Sequence, residues 1–480
     1  MEIIIIIVSL ITASLISVLA KRRGIIEFFS VIASLVALFE SCIVISKVLS
    51  QGVYSPFILF SVDSLGAIVL LIICIVYFAS IVYSIQYLRQ ETAKNIIGLT
   101  RARQYFALLN IFLLAMILAI VANNPIFAWI TIEATTLSTA FLISFYNKPS
   151  AMEAAWKYLI INSTGLLLGF FGTLLYFTAL QGEPIFATWD ILFSNALLLD
   201  PIIAKIAFIF VLIGYGTKVG FAPMHTWLPD AHSKAPAPVS ALLSGVLLNV
   251  AFITILRFKF ITDAAVGVEF AQKLLIIFGL LSIIIASFII FTQKNYKRLL
   301  AYSSIENMGI VALGFGFGGL GVLAAILHMI YHAFAKSALF LSAGNIFLKY
   351  GSTKIINIKG VLKTIPATGV LFLIGFFAII GMPPFGIFLT KLFIFSAGIA
   401  SHPIITITVI ILMAILFIGF LKHISVMFFG EKPADMIKEK ENIWLVAPPT
   451  VLLALILFLS FYQPHFLQEL INNVILKYEF

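Results

Sequence analysis

The sequence predicts an all-α integral membrane protein of about fourteen transmembrane helices, two of them broken. Three observations carry this prediction. Of the 480 residues, 62% are hydrophobic and only 10% charged, with a mean hydropathy of +1.14. A soluble globular chain is about 45–50% apolar and about 25% charged. The apolar residues also come in stretches of about twenty, enough to cross the hydrocarbon core. Finally, two of these stretches carry clusters of helix-breaking residues beside a lysine, GYGTKVGFAP around Lys218 and GMPPFGIFLTK ending at Lys391.

Taken in order, the spans read near 3–20, 25–49, 61–88, 104–122, 124–146, 155–180, 201–222, 236–258, 272–292, 299–317, 319–348, 364–396, 403–429 and 443–463. The first is followed by Lys21, Arg22 and Arg23. A secretory signal carries its charges before the apolar region, so this stretch reads as a span with an external N-terminus. The twelfth is long and interrupted by Gly381, Met382, Pro383 and Pro384.

Of the 30 Lys and Arg residues, nineteen fall in loops after odd-numbered spans. The last of those loops holds Lys432, Lys438 and Lys440. Five fall in even-numbered loops or the tail: Lys47, Arg257, Lys259, Lys273 and Lys477. By the positive-inside rule the odd loops are cytoplasmic, and both termini lie outside the cell membrane of a prokaryote. The other six are intramembrane: Lys157, Lys205, Lys218, Lys336, Lys391 and Lys422.

Composition also excludes functions. The net charge of +10 sits in short loops, which argues against nucleic acid as a partner. The two cysteines, Cys42 and Cys74, form no cluster. The chain is therefore expected to hold no iron–sulfur cluster, nickel–iron centre or c-type haem itself. The segments near 89–103, 181–200 and 430–442 are too short for a catalytic domain. Residues 1–480 read as one polytopic membrane domain.

The informative residues are the charged ones inside hydrocarbon, where an ammonium costs several kcal/mol unless paired, hydrated or neutralised. Glu133, in FAWITIEATTLSTAFLI, reads as a proton acceptor or as the partner of a lysine, against a structural ion pair. Glu153 and Lys157 are four apart and share a helix face; Glu153 reads as interfacial and Lys157 as joining a polar axis. Lys218 is flanked by Gly214, Gly216, Gly220 and Pro223. Such a helix can open and free backbone carbonyls, leaving a lysine that alternates between charged and neutral forms.

His328, His332 and Lys336 recur every four residues, placing three titratable groups on one helix face; they read as a relay. Lys391 follows Pro383 and Pro384 by about two turns, beside a break that prolines impose. Glu306, in LAYSSIENMG, fits a structural or a functional role. Lys422 and Lys205 are explained by snorkelling to the interface. Glu40 and Asp63, near span ends, read as structural. His225, Asp230 and His232 in MHTWLPDAHSKAPAP offer only a weak metal signal.

The order of these motifs resembles the antiporter-like membrane subunits of complex I and of multisubunit cation/proton antiporters, over residues 60–430. It is carried by SVDSLG, Trp129-x-x-x-Glu133, the run from Lys218 through Leu228-Pro229-Asp230-Ala231-His232, LAYSSIENMG and GMPPFGIFLTK. Within that group, IEATTLSTAFLISFY, EAAWKYLIINSTGLLLGFFGTLLYF and AYSSIENMG look most like component F of hydrogenase-4, the antiporter-like subunit of membrane-bound nickel–iron hydrogenases and formate hydrogenlyases.

The resemblance implies two inverted five-helix repeats, residues 104–258 and 272–429, with spans seven and twelve broken. It implies Lys218 and Lys391 as the central lysines of the two halves, Glu133 as the partner of Lys218, and Lys336 with the histidines as the bridge. It also implies iron–sulfur clusters and a nickel–iron centre in partners. One departure stands out. Many relatives carry a lysine in the segment matching SGVLLNVAF, where this chain has Asn249; an amide orients water but carries no proton. The long lateral helix of the largest complex I antiporter subunit also has no counterpart after span fourteen.

The sequence therefore predicts a subunit that moves protons, or exchanges Na⁺ for H⁺, through a Glu/Lys/His axis. The driving electron transfer would occur in hydrophilic redox subunits joined to it by other membrane subunits. The alternatives are a subunit of a stand-alone multisubunit cation/proton antiporter and a complex I proton-pumping subunit proper.

Overall fold

The computed structural model describes residues 1–180, 187–432, 436 and 440–478; Lys438 lies outside the described residues. Among them, thirteen helices are long and apolar enough to cross a membrane. They begin with α1 (Glu2–Leu19), α2 (Arg23–Gln51), α3 (Ser64–Ala93), α4 (Leu99–Val121), α5 (Pro125–Ile143) and α6 (Pro149–Ala179). Span seven is α7a (Pro201–Val219) followed by α7b (Trp227–Lys234). Then come α8 (Ala237–Val266), α9 (Val268–Ile289), α10 (Tyr296–Phe317) and α11 (Leu320–Tyr350).

Span twelve is two helices, α12a (Pro366–Ile380) and α12b (Gly386–Ser401). At 1.5 Å per residue each is about 23 Å long, short of the roughly 30 Å hydrocarbon core. The chain continues through α13 (Pro403–Phe429) and α14 (Ile443–Phe461), and ends in an amphipathic helix, α15 (His465–Tyr478). A two-stranded hairpin, β1 (Tyr54–Phe57) and β2 (Phe60–Val62), links α2 to α3. Asp63 caps α3 by accepting from Gly66 N (2.8 Å).

The bundle is layered by burial. The apolar stretches of α8 and α10 are wholly enclosed and that of α11 nearly so, whereas those of α1, α13 and α14 lie mostly on the outside. The outer residues are apolar, among them Phe141, Ile160, Ile404 and Ile418. This is the reverse of a soluble surface and suits contact with lipid.

Both breaks satisfy their backbone internally, as hydrocarbon requires. Helix α7a ends at Gly220, whose φ of +85° is the left-handed conformation glycine tolerates best. Beyond it, Ala222 N donates to the Ser282 hydroxyl of α9 (3.0 Å), and the Trp227 indole donates to Thr217 O (2.8 Å). Helix α12a ends at Gly381, with φ of +89°. There Gly386 N donates to the Ser460 hydroxyl of α14 (2.6 Å).

Three expectations are corrected. Helix α8 does not stop near residue 258 but runs to Val266, so Arg257 and Lys259 are buried side chains rather than loop cations. Arg257 donates to Ile120 O (3.0 Å) and lies 3.6 Å from Asp63; Lys259 pairs with Asp263. Lys297, counted as a loop cation, lies in the first turn of α10, buried, with Nζ on Ala235 O (3.1 Å). Helix α6 begins at Pro149, six residues before the apolar stretch. Its first turns stand at the mouth of the bundle, which places Lys157 there.

Glycines set how closely the lysine-bearing α7a meets α6. A Cβ on Gly214 would lie 2.2 Å from Gly169 N. Gly214→Ala must therefore push α7a off α6. It is expected to destabilise the purified chain by about 1–3 kcal/mol, read as a fall in thermal unfolding temperature in detergent.

Candidate ion-translocation axis

The enclosed layer holds the titratable groups. Lys218 sits in the last turn of α7a before the break, with none of its surface exposed. The Gly216 and Thr217 carbonyls at this break accept from Gly220 N, Phe221 N and the Trp227 indole. Lys218 itself bonds hydroxyls, donating to Thr136 Oγ1 of α5 (2.8 Å) and Tyr158 OH of α6 (2.7 Å), with Nζ 4.8 Å from the Tyr158 ring centre.

Thr136 passes the interaction on by donating to Glu133 Oε2 (3.2 Å), and Ser163 donates to Glu133 Oε1 (2.6 Å). Glu133, half-buried, thus meets Lys218 through one hydroxyl rather than by direct ion pairing.

The second centre is built differently. Lys391 lies in the second turn of α12b, after the break, and is 5% exposed. Its ammonium donates to Glu306 Oε1 of α10 (3.1 Å), to Ile380 O (3.1 Å) and to Ile379 O (3.4 Å). The last carbonyls of α12a, at the negative end of that helix's dipole, take the place of water around the cation. Glu306 is 1% exposed and also accepts from the Asn307 amide.

Asn307 Oδ1 meets His328 Nε2 (3.0 Å), and His328 Nδ1 meets the Thr390 hydroxyl (2.8 Å), which returns to α12b. Lys391, Glu306, Asn307, His328 and Thr390 therefore form one hydrogen-bonded chain across α10, α11 and α12b, whose two ends are sequence neighbours on α12b. Farther along α11, Lys336 donates to Leu300 O (2.7 Å) and to the Ser303 hydroxyl, both on α10.

Between the centres lie His332 and Asn249, neither exposed. Both His332 ring nitrogens lack a hydrogen-bond partner among the described residues, as does Asn249 Oδ1. The Asn249 amide donates weakly to Gly245 O (3.3 Å) and Met329 O (3.4 Å), which brings α8 against the histidine face of α11. Directly before Asn249, α8 opens into a π-helical turn, Leu243–Leu247. Such turns free backbone groups and often mark functional sites.

Not every residue expected on the axis lies there. The Lys157 side chain is half exposed and pairs with Glu153 (2.6 Å) and Asp230 (3.6 Å) at the mouth of the bundle; it does not enter the core. Its position in the early turns of α6 and the carboxylates beside it hold it outward. Lys205 and Lys422 are exposed on the outer surface. His225 and His232 are buried, and Asp230 bonds Arg298 (2.8 Å). No group of three metal-ligating side chains occurs among the described residues.

The geometry also adds residues that the sequence reading passed over: Thr136, Tyr158 and Ser163 around the first lysine, Ser303 under Lys336, and Asn307 and Thr390 in the second centre. Their only sequence signal is a small polar side chain in an apolar span, which more often marks ordinary helix packing.

A glutamate on span five with a lysine on span seven, and again a glutamate on span ten with a lysine on span twelve, beside two broken helices, defines the antiporter-like class of membrane subunit. Residues 122–417 match the transmembrane family described as NADH:quinone oxidoreductase/Mrp antiporter, and the chain belongs to that family. The hydrogenase-4 component F homolog of Methylacidiphilum infernorum is 39% identical over 72% of this chain and 74% of its own length.

Among solved structures, a chain of the membrane-bound sulfane sulfur reductase, an archaeal respiratory membrane complex, superposes with a TM-score of 0.86 at 23% identity, covering 98% of this chain and 96% of that one. A chain of the Mrp complex from Dietzia sp. superposes at 0.85 with 18% identity, covering 100% and 97%. These likenesses establish the fold.

A buried charge left without its partner is strongly destabilising, whereas a buried pair removed together is not. Glu306→Gln is expected to cost about 3 kcal/mol by stranding Lys391. Adding Lys391→Gln should restore most of the loss, giving a coupling in the double-mutant cycle well above the error of thermal unfolding.

Proposed function

We propose that this chain is the proton-translocating, or Na⁺/H⁺-exchanging, subunit of a membrane-bound oxidoreductase complex of the hydrogenase-4 kind. The observation that carries the reading is the Glu306–Lys391 pair set on the last carbonyls of a broken helix. A cation held beside a helix break at the core of a bundle is the architecture of an ion path. Lys218 and Glu133, linked through Thr136, supply the corresponding centre five spans earlier. The 39% identical component F homolog supports the hydrogenase-like assignment over the complex I and antiporter alternatives.

In this reading residues 104–258 and 272–429 form two inverted repeats, one half-path in each. Electron transfer in hydrophilic partner subunits, which carry the iron–sulfur and nickel–iron centres, changes the charge near Glu133. That change alters the proton affinity of Lys218. The perturbation passes through Asn249, His332, Lys336 and His328 to the Glu306–Lys391 pair, where a proton is released or taken up. Moving one charge across 100 mV takes about 2.3 kcal/mol. A swing of two pKa units supplies about 2.7 kcal/mol, so modest swings suffice.

Lys218→Ala and Lys391→Ala should each lower redox-driven ion pumping by the intact complex at least tenfold while its redox turnover continues. Pumping at the wild-type level in both variants would refute the proposal. Purification of the native chain with membrane subunits alone, and with ion-exchange activity, would instead assign it to a stand-alone antiporter.

The basic loops face the cytoplasm in this reading, and both termini face outward across the cell membrane of a prokaryote. A cysteine introduced at Ser352, in the loop after α11, should resist an impermeant maleimide in intact cells and react after lysis. Labelling in intact cells would invert the topology.

The central stretch should tolerate polarity but not apolar fill. His332→Leu is expected to abolish pumping and His332→Gln to retain part of it, with both variants assembling normally. Equal activity in the two would remove His332 from the path.

A further inference from the structure

The basic face of the bundle carries a cleft of about 1160 Å³ that the axis does not use. It opens between the first turns of α6, helix α7b, the start of α10 and the last two turns of α13. Five cations line it, Lys157, Lys234, Lys294, Arg298 and Lys354, against two carboxylates, Glu153 and Asp230.

The carboxylates are already engaged. Asp230 accepts from Arg298 (2.8 Å) and lies 3.6 Å from Lys157, which also pairs with Glu153 (2.6 Å). Lys234 reaches only the Ser150 hydroxyl (3.0 Å). Among the described residues Lys234, Lys294 and Lys354 have no ion-pair partner, and the buried Arg298 Nε has no hydrogen-bond partner. The cleft thus has an excess of positive charge.

One wall is apolar. Ile356 is 74% exposed and Val426 45% exposed at its edge. A site for a free anion has no use for such a wall. A cationic rim above exposed aliphatic side chains, placed between membrane helices, matches the amphipathic shape of a lipid. Basic pockets between transmembrane helices are known to take anionic headgroups.

We propose that this cleft binds an anionic phospholipid, its phosphate held by Lys234, Lys294, Lys354 and Arg298 and its acyl chains laid along Ile356 and Val426. The bound lipid would complete the charge balance of this face and cover the apolar edge.

The test uses the full chain, delipidated in detergent and equilibrated with equal amounts of phosphatidylglycerol and phosphatidylcholine, with retained lipid counted by native mass spectrometry. The wild type should retain one phosphatidylglycerol with at least a threefold preference. The triple variant Lys234→Gln, Lys294→Gln, Lys354→Gln should lose the preference, and the corresponding Lys→Arg triple should keep it, which separates charge from folding. A control triple on the same face, Lys21→Gln, Arg22→Gln, Lys148→Gln, should behave as wild type.

No preference in the wild type, or an equal loss in the control triple, would overturn the proposal. Displacement by 10 mM inorganic phosphate would make the ligand a free anion and overturn the lipid assignment. So would retention by the free chain but not by the assembled complex, which would give the cleft to a partner polypeptide.

Discussion

Three ammonium groups buried in the centre of a membrane bundle dictate the rest of this structure. Each must be given oxygen ligands or it drives the bundle apart, because an uncompensated charge in a low-dielectric interior costs several kcal/mol. The chain answers the demand in three ways. Lys218 receives two hydroxyls, Lys336 a backbone carbonyl and a hydroxyl, and Lys391 a carboxylate with two backbone carbonyls. The Gly214–Gly169 approach brings α6 within reach of Lys218, and the break after α12a exposes the carbonyls that hold Lys391. Packing and helix interruption are therefore parts of the same solution.

The two centres are not copies. At the first break the lysine lies on hydroxyls, and its glutamate is reached through Thr136. At the second the lysine itself caps the last two carbonyls of α12a, and the carboxylate makes direct contact.

Much of this was legible in the sequence, for physical reasons. Span length and the helix breakers followed from hydropathy and from the chemistry of Gly and Pro, so fourteen crossings with breaks near 218 and 383 could be read directly. Glu306 was harder to weigh. A carboxylate a few residues into a span looks interfacial from sequence alone, and only the fold of α12 back onto α10 brings Lys391 to it. Lys157 misled in the opposite direction, because its apolar neighbours suggested depth while Pro149 starts the helix well outside the apolar stretch. Arg257 and Lys259 ended the apparent span eight, yet α8 continues because Asp63 and Asp263 wait for them. The hydroxyl and amide ligands were invisible, since Thr136 or Thr390 has no pattern that separates it from a packing residue.

Asn249 bears most directly on how the halves communicate. A lysine there would add another cation to a region that already holds Lys336 and Lys391, and would need its own acceptor. The asparagine removes that demand; among the described residues its oxygen and both ring nitrogens of His332 have no hydrogen-bond partner. Buried polar atoms of this kind are satisfied by water, and the π-helical turn before Asn249 loosens the backbone beside them. The segment is therefore better suited to relay through solvent and imidazole than through a fixed charge. Histidine can supply that relay because each ring nitrogen can donate or accept as the tautomer changes. In the proposed function coupling would then run through α11, where His328 bonds Asn307 and Thr390.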